Sequence, residues 1–167
     1  NFLGLPIFST TQAPYDLVHT GGNFMSDGFG NAFSSYLVYD ENGPGGQFNQ
    51  TDKTPAQVDG LMDQWMGINQ YITMPTLPYD AIHHIDMHMK LLNEETLLVG
   101  KYPAGIADGP QIEANILYVL NNFKSSFGTP YKVIRIPMPP ANNEYPDTDG
   151  DYRTYANAVF VNKTVIL

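Results

Sequence analysis

Apolar and polar positions along the chain switch between two periods, and the switching recurs. Residues 17–24 and 31–39 carry the short apolar runs of strands, separated by the Gly-rich turn "MSDGFG". A polar Gly/Pro loop, "DENGPGGQFNQTDK", follows. Thr54 then stands where a helix N-cap belongs, with Pro55 at the first helical position. Val58, Leu61, Met62, Trp65 and Met66 recur at helical spacing and predict one apolar stripe. "NQYITMP" reads as a short strand. The second round starts with alternation over 84–91, a turn at "LNEET" and a returning strand over 97–101. A helix is expected from about Pro110, with Ile112, Ile116, Val119, Leu120 and Phe123 at helical spacing, ending near Gly128. "YKVIRIPMP" is a strand closed by prolines. After the loop "PANNEYPDTDGD", the run "YANAVFVNKTVIL" reads as a further hairpin, with Asn162 and Lys163 at its turn.

The order is strand, strand, helix, strand, twice, and then a third pair of strands. This is an internal repeat of one supersecondary unit, which needs neighbours to bury its apolar faces. The units run over about 17–75, 80–139 and 152–167. Asn23, Asp86 and Asn157 fall near the starts of the three hairpins, spaced by 86 − 23 = 63 and 157 − 86 = 71 residues. The third unit looks truncated, so the chain is expected to be a fragment or one piece of a nicked protein. Ala158, Phe160, Val165 and Leu167 would then be covered by further chain or by a partner.

Composition narrows the classes. Hydrophobic residues are 43% and charged residues 15% of 167, the balance of a globular chain. A net charge of −9 argues against nucleic acid, because phosphate binding needs clustered Lys and Arg, and is compatible with a cationic substrate. No apolar run approaches the roughly 18 residues of a membrane span. There is no Cys, hence no disulfide and no thiolate ligand.

The candidate chemistry concentrates in "YDAIHHIDMHMKLLNEETLLVGKYP". If 84–91 is a strand, His84, Asp86 and His88 share one face, and His83, Ile85, Met87 and Met89 the other. The polar face is then either solvated, with a His–Asp hydrogen bond, or a site for acid–base work. A carboxylate beside an imidazole favours the protonated ring. A metal-binding β protein using His84 and His88 is a weaker alternative: the two lie roughly 13 Å apart along a strand and could share an ion only if it bends. Gly21 and Gly22, before Asn23, mark a tight turn or a close backbone approach. Asn157 opens a strand after a polar loop. Asp147, Asp149 and Asp151 resemble a calcium loop, but Gly150 stands at the fourth position, where the sixth is needed. A solvated acidic turn is the plainer reading, with a structural calcium or sodium ion the alternative.

Taken together, "HTGGNFMSDGFG", "HHIDMHMKLLNEETLLVGKY" and "TYANAVFVN" resemble the guanidine-modifying, or pentein, superfamily, and within it the bacterial (Porphyromonas-type) peptidylarginine deiminases and the agmatine deiminases. The resemblance covers most of the chain. It implies a mixed α/β (α+β) fold, a five-bladed propeller of which this chain supplies about two blades and the start of a third. It implies hydrolysis of a guanidinium group to a ureido group and ammonia, on peptidyl-arginine or agmatine, with no cofactor taking part in the bond-breaking. His84 would shuttle protons and Asp86 would grip the guanidinium. Asn157 would stand near the active centre, and Gly21, Gly22 and Asn23 would open their blade onto the substrate. Thr20 replaces a Glu that many relatives carry before the glycine pair. The family's nucleophilic Cys and an N-terminal Asp motif are not in the segment, so this chain alone is expected to be inactive. A secreted or periplasmic location goes with the peptidylarginine type and a cytoplasmic one with agmatine deiminase. The rival reading is a non-catalytic propeller-like binding module.

Overall fold

The computed structural model describes residues 3–6, 11–106, 108–139, 152–161 and 164–166, with side chains up to Val159. Asp147, Asp149 and Asp151 lie outside the described residues, as do the side chains of Phe160, Val165 and Leu167.

Two three-stranded sheets are built to the same plan. In the first, β1 (Met25–Ser26) pairs antiparallel with β2 (Asn31–Ser35), and β2 pairs parallel with β3 (Gln70–Met74). In the second, β4 (Met89–Asn93) pairs antiparallel with β5 (Thr96–Lys101), and β5 pairs parallel with β6 (Lys132–Pro137). Helices α1 (Leu37–Asn42) and α2 (Pro55–Met66) connect β2 to β3, and α3 (Asp108–Asn122) connects β5 to β6. A third hairpin, β7 (Val159–Val161) with β8 (Thr164–Ile166), repeats the opening of the unit. A one-turn 3-10 helix stands ahead of each of the first two hairpins, at Gly21–Asn23 and Ile85–Met87.

The helix α2 forms where its caps require. The Thr54 side chain accepts from the Gln57 N–H, and the Gln57 side chain accepts from the Thr54 N–H, a reciprocal capping box. Gly67 ends it in the left-handed region at φ 68°, its N–H on the carbonyls of Asp63 and Met62. Val58, Leu61 and Met62 are buried, but Trp65 and Met66, placed on the same stripe by their spacing, are 40% and 57% exposed. The last turn of α2 is exposed, and there Trp65 packs edge-on against Tyr15, ring centroids 5.6 Å apart.

The sheets share a core. Phe33, Ile72 and Met74 of the first pack with Met89, Leu97 and Val99 of the second and with Ile112, Ile116 and Val119 of α3. Ala32, Val58, Met62 and Ile68 form a separate cluster under α2. Thus α3 and the start of the second unit share one core with the first sheet. At about 25 cal/mol per Å² of apolar surface removed from water, this shared burial dominates over exposed contacts such as the Arg135–Glu113 pair.

Two expectations change. The strand expected over 17–24 is loop and 3-10 turn, and β1 begins inside the Gly-rich segment. The reason is a competing partner distant in sequence: the Asn42 side chain takes both backbone groups of Val18, accepting from its N–H at 2.9 Å and donating to its carbonyl at 2.7 Å. The segment 31–39, expected to be one strand, stops at Ser35. There the Ser35 Oγ accepts from the Leu37 N–H and α1 starts.

Candidate active site

The sharper correction concerns residues 84–88. They do not alternate across a strand. Ile85–Met87 is a 3-10 turn and β4 starts only at Met89. Ile85 is fully buried in the shared core, and this draws the turn inward. His83, just before it, sits in the left-handed region at φ 61°, uncommon for a non-glycine residue and of the kind that persists when surrounding structure enforces it.

The turn brings His84 and Asp86 together but leaves His88 out. A Cβ on Gly22 would lie 2.6 Å from His84 Nδ1 and 3.1 and 3.2 Å from the two Asp86 carboxylate oxygens. An imidazole and a carboxylate from the second unit therefore stand over the glycine turn of the first, in space that any side chain at Gly22 would fill. Gly21 has no such neighbour. His88 is 2% exposed, with neither ring nitrogen hydrogen-bonded among the described residues. Burial depresses its pKa to about 4, so it is a neutral core histidine at neutral pH. Among the described residues, no three His, Asp or Glu side chains are grouped to hold a metal ion.

Asp86 is half-buried. Burial pushes its carboxyl above the usual range, opposed by the nearby charges of His84 and Lys90 and reinforced by Asp80. Its Oδ1 is buried without a hydrogen-bond partner among the described residues. A carboxylate so placed is costly alone and is compensated by a cation that brings N–H donors. A planar guanidinium has that shape.

The other expected asparagines both contact the 3-10 turn. Asn157 follows a turn, its N–H on the Thr154 carbonyl, and its Nδ2 donates to Met87 Sδ at 3.7 Å, so the third hairpin touches the Asp86 turn. Asn23, Asp86 and Asn157 precede their first strands by two or three residues. Asn23, however, is 0% exposed and its side chain is used inside the protein: Oδ1 accepts from Ser35 N–H at 2.9 Å and Ile85 N–H at 3.1 Å, and Nδ2 donates to the Ser35 carbonyl. Ala158, expected to need covering by further chain, is already buried here at 3% exposure.

Sequence reasoning missed a buried chain of polar groups behind the glycine turn. Thr20 Oγ1 donates to Glu41 Oε1 at 2.6 Å, and Tyr71 OH donates to Ser34 Oγ, which donates to the Asn23 carbonyl. His19 Nε2 lies 2.9 Å from Tyr71 OH. Glu41, 5% exposed, comes from α1, which lacks the periodicity that would have shown it.

The repeated unit and the solved structures it aligns with define the class: a mixed α/β chain with the fold of the pentein deiminases. It aligns with a Porphyromonas gingivalis protein assigned as an arginine deiminase at a TM-score of 0.71 and 20% identity, over 90% of this chain and 43% of that one. It aligns with a C. jejuni agmatine deiminase at a TM-score of 0.64 and 19% identity, over 90% of this chain and 41% of that one. At these identities the likeness establishes the fold. The model of the Porphyromonas-type peptidyl-arginine deiminase family matches residues 4–167, and the chain belongs to that family. An alignment 116 positions long, covering 64% of this chain and 21% of Myrosinase 1 of Arabidopsis thaliana, shows 28% identity. The chain therefore spans about two fifths of the solved relatives and about one fifth of that plant protein.

Proposed function

We propose that this chain supplies the guanidinium-holding and proton-carrying half of a deiminase site, whose substrate is peptidyl-arginine or agmatine. One observation carries this reading: His84 and Asp86 converge over Gly22, and Asp86 keeps a buried oxygen without a hydrogen-bond partner among the described residues. Asp86 holds the guanidinium by charge-assisted hydrogen bonds. A thiolate attacks the central carbon and forms a C–S bond. The C–N bond then breaks as His84 protonates the leaving ammonia. His84 next takes a proton from water, whose oxygen attacks the same carbon. The thiolate leaves, and the product is a ureido group. Asn157 stands at the edge of the site. The thiol comes from the rest of the protein, since these 167 residues hold no Cys. The three units are consecutive blades of one propeller domain, a reading supported by the core that the first two share and by the repeated sheet topology.

The alternative is a binding module that holds guanidinium groups without cleaving them. Ammonia release by the intact protein from agmatine and from a peptide ending in arginine separates the two. Release from either, with a ureido product by mass spectrometry, supports the deiminase. Binding of both with no ammonia from either rejects it in favour of the module.

A further inference from the structure

We propose that Asn23 and Ser35 of the first unit are positioning residues for His84 of the second, a proposal that rests on the deiminase reading of the site. His84 is flanked by two peptide groups, and each is held from the other unit. On one side, Ser35 Oγ donates to the carbonyl of His83. On the other, the N–H of Ile85 donates to Asn23 Oδ1 at 3.1 Å. Holding the peptide planes before and after one residue fixes both of its soft backbone dihedrals, here φ −79° and ψ 138°. The ring then has only its side-chain torsions left, and the close approach over Gly22 restricts those.

The holding side chains are themselves immobile. Asn23 is 0% and Ser35 2% exposed. Asn23 grips Ser35 at both backbone groups, and Ser34 Oγ donates to the Asn23 carbonyl at 2.6 Å. Ser35 ends β2 in register with Met74, and the next N–H, of Tyr36, donates to the Met74 carbonyl. The clamp is thus anchored in the ladder of the first sheet. It also accounts for His83. The left-handed conformation there aims the His83 carbonyl at Ser35, and the hydrogen bond holds the residue where it would not otherwise stay.

A group that aims a proton carrier should affect the chemical step more than binding. In the intact protein, Ser35→Ala removes the donor to His83. The expected result is a fall in kcat of roughly a hundredfold, the size of an ångström-scale misplacement, with KM within about threefold. The limb of the pH–rate profile that belongs to His84 should shift, and unfolding should stay cooperative. Ser35→Thr keeps the hydroxyl and should recover most of the activity. Should Ser35→Ala fail to fold, Ser35→Cys, of similar size with a weak S–H donor, takes its place. Unchanged kcat and pH profile in the folded variant, or a rise in KM alone, overturns the proposal. The ring resonances of His84, compared by NMR between wild type and variant, decide independently of turnover. If the wild type releases no ammonia, the deiminase reading fails while this comparison still tests the clamp. Shifted His84 resonances support it, and unchanged ones overturn it.

Discussion

The turns Gly21–Asn23 and Ile85–Met87 are the same backbone device put to opposite uses. Each is a single 3-10 turn ahead of a hairpin, and they meet across the boundary between units. The first has been emptied: Gly22 leaves room, and Asn23 turns its amide inward at 0% exposure. The second has been filled: His84 and Asp86 project into that room, with one carboxylate oxygen unpartnered among the described residues. A repeat supplies one geometry many times, and a site arises when neighbouring copies divide the labour. On the proposed reading, one copy gives space and anchoring, and the next gives the reactive groups.

The largest effect should come from the filled turn. Asp86→Asn keeps shape and removes charge. We expect turnover in the intact protein to be abolished, and substrate affinity to fall at least about tenfold, the worth of a charge-assisted hydrogen bond. Stability should hold or rise, because the carboxyl is raised by burial and its ionised form is a cost at neutral pH. Steady-state kinetics and a thermal melt check both halves; unchanged kinetics would remove Asp86 from the site.

The emptied turn comes next. Gly22→Ala puts a methyl 2.6 Å from His84 Nδ1. The expected loss of turnover is roughly a hundredfold, from misplaced reacting groups. Gly60→Ala, on an open face of α2 with nothing within 4 Å, should gain about 1 kcal/mol of stability and leave turnover unchanged. Equal activity in the two variants would break the contrast between an emptied turn and an ordinary glycine.

The smallest effect belongs to His88, which adjoins the filled turn without joining it. Its folded pKa, about 4, lies below the unfolded value near 6.5. The unfolded chain therefore takes up a proton over a range where the folded one does not. Stability is fully present above about pH 6.5 and is lost as pH falls towards 4, by up to about 3 kcal/mol. His88→Phe should flatten this decline in denaturant melts across that range. An identical decline in the variant would assign it to other groups.

Much of the scaffold is legible in the residues because local chemistry and tertiary packing agree there. Thr54, Pro55 and Gln57 cap α2 as their types demand, and Ile112, Ile116 and Val119 lie on the buried side of α3. The repeat itself shows in the order of hairpins and helices. What was not legible is set by interactions distant in sequence. Asn42 captures Val18 from 24 residues away and prevents a strand whose apolar pattern is adequate. Periodicity cannot report a left-handed His83, and without it His84, Asp86 and His88 look like one strand face. The pairing of His84 with Asp86 survives that error because the 3-10 turn also brings the two together, while His88 goes to the core.

The division of labour is tested most directly at the Asp86 carboxyl itself. Its titration can be followed by carbon-detected NMR in the intact protein, with and without saturating agmatine and an arginine-terminated peptide. Without ligand, the midpoint should lie above the usual carboxylate value, because burial penalises the charged form. With a guanidinium bound, it should fall, since the cation favours the ionised carboxylate, and binding near the free midpoint should release a proton. A midpoint that stays where it was at saturation with both ligands would show that Asp86 does not hold the guanidinium. It would contradict the reading of the two turns as one site.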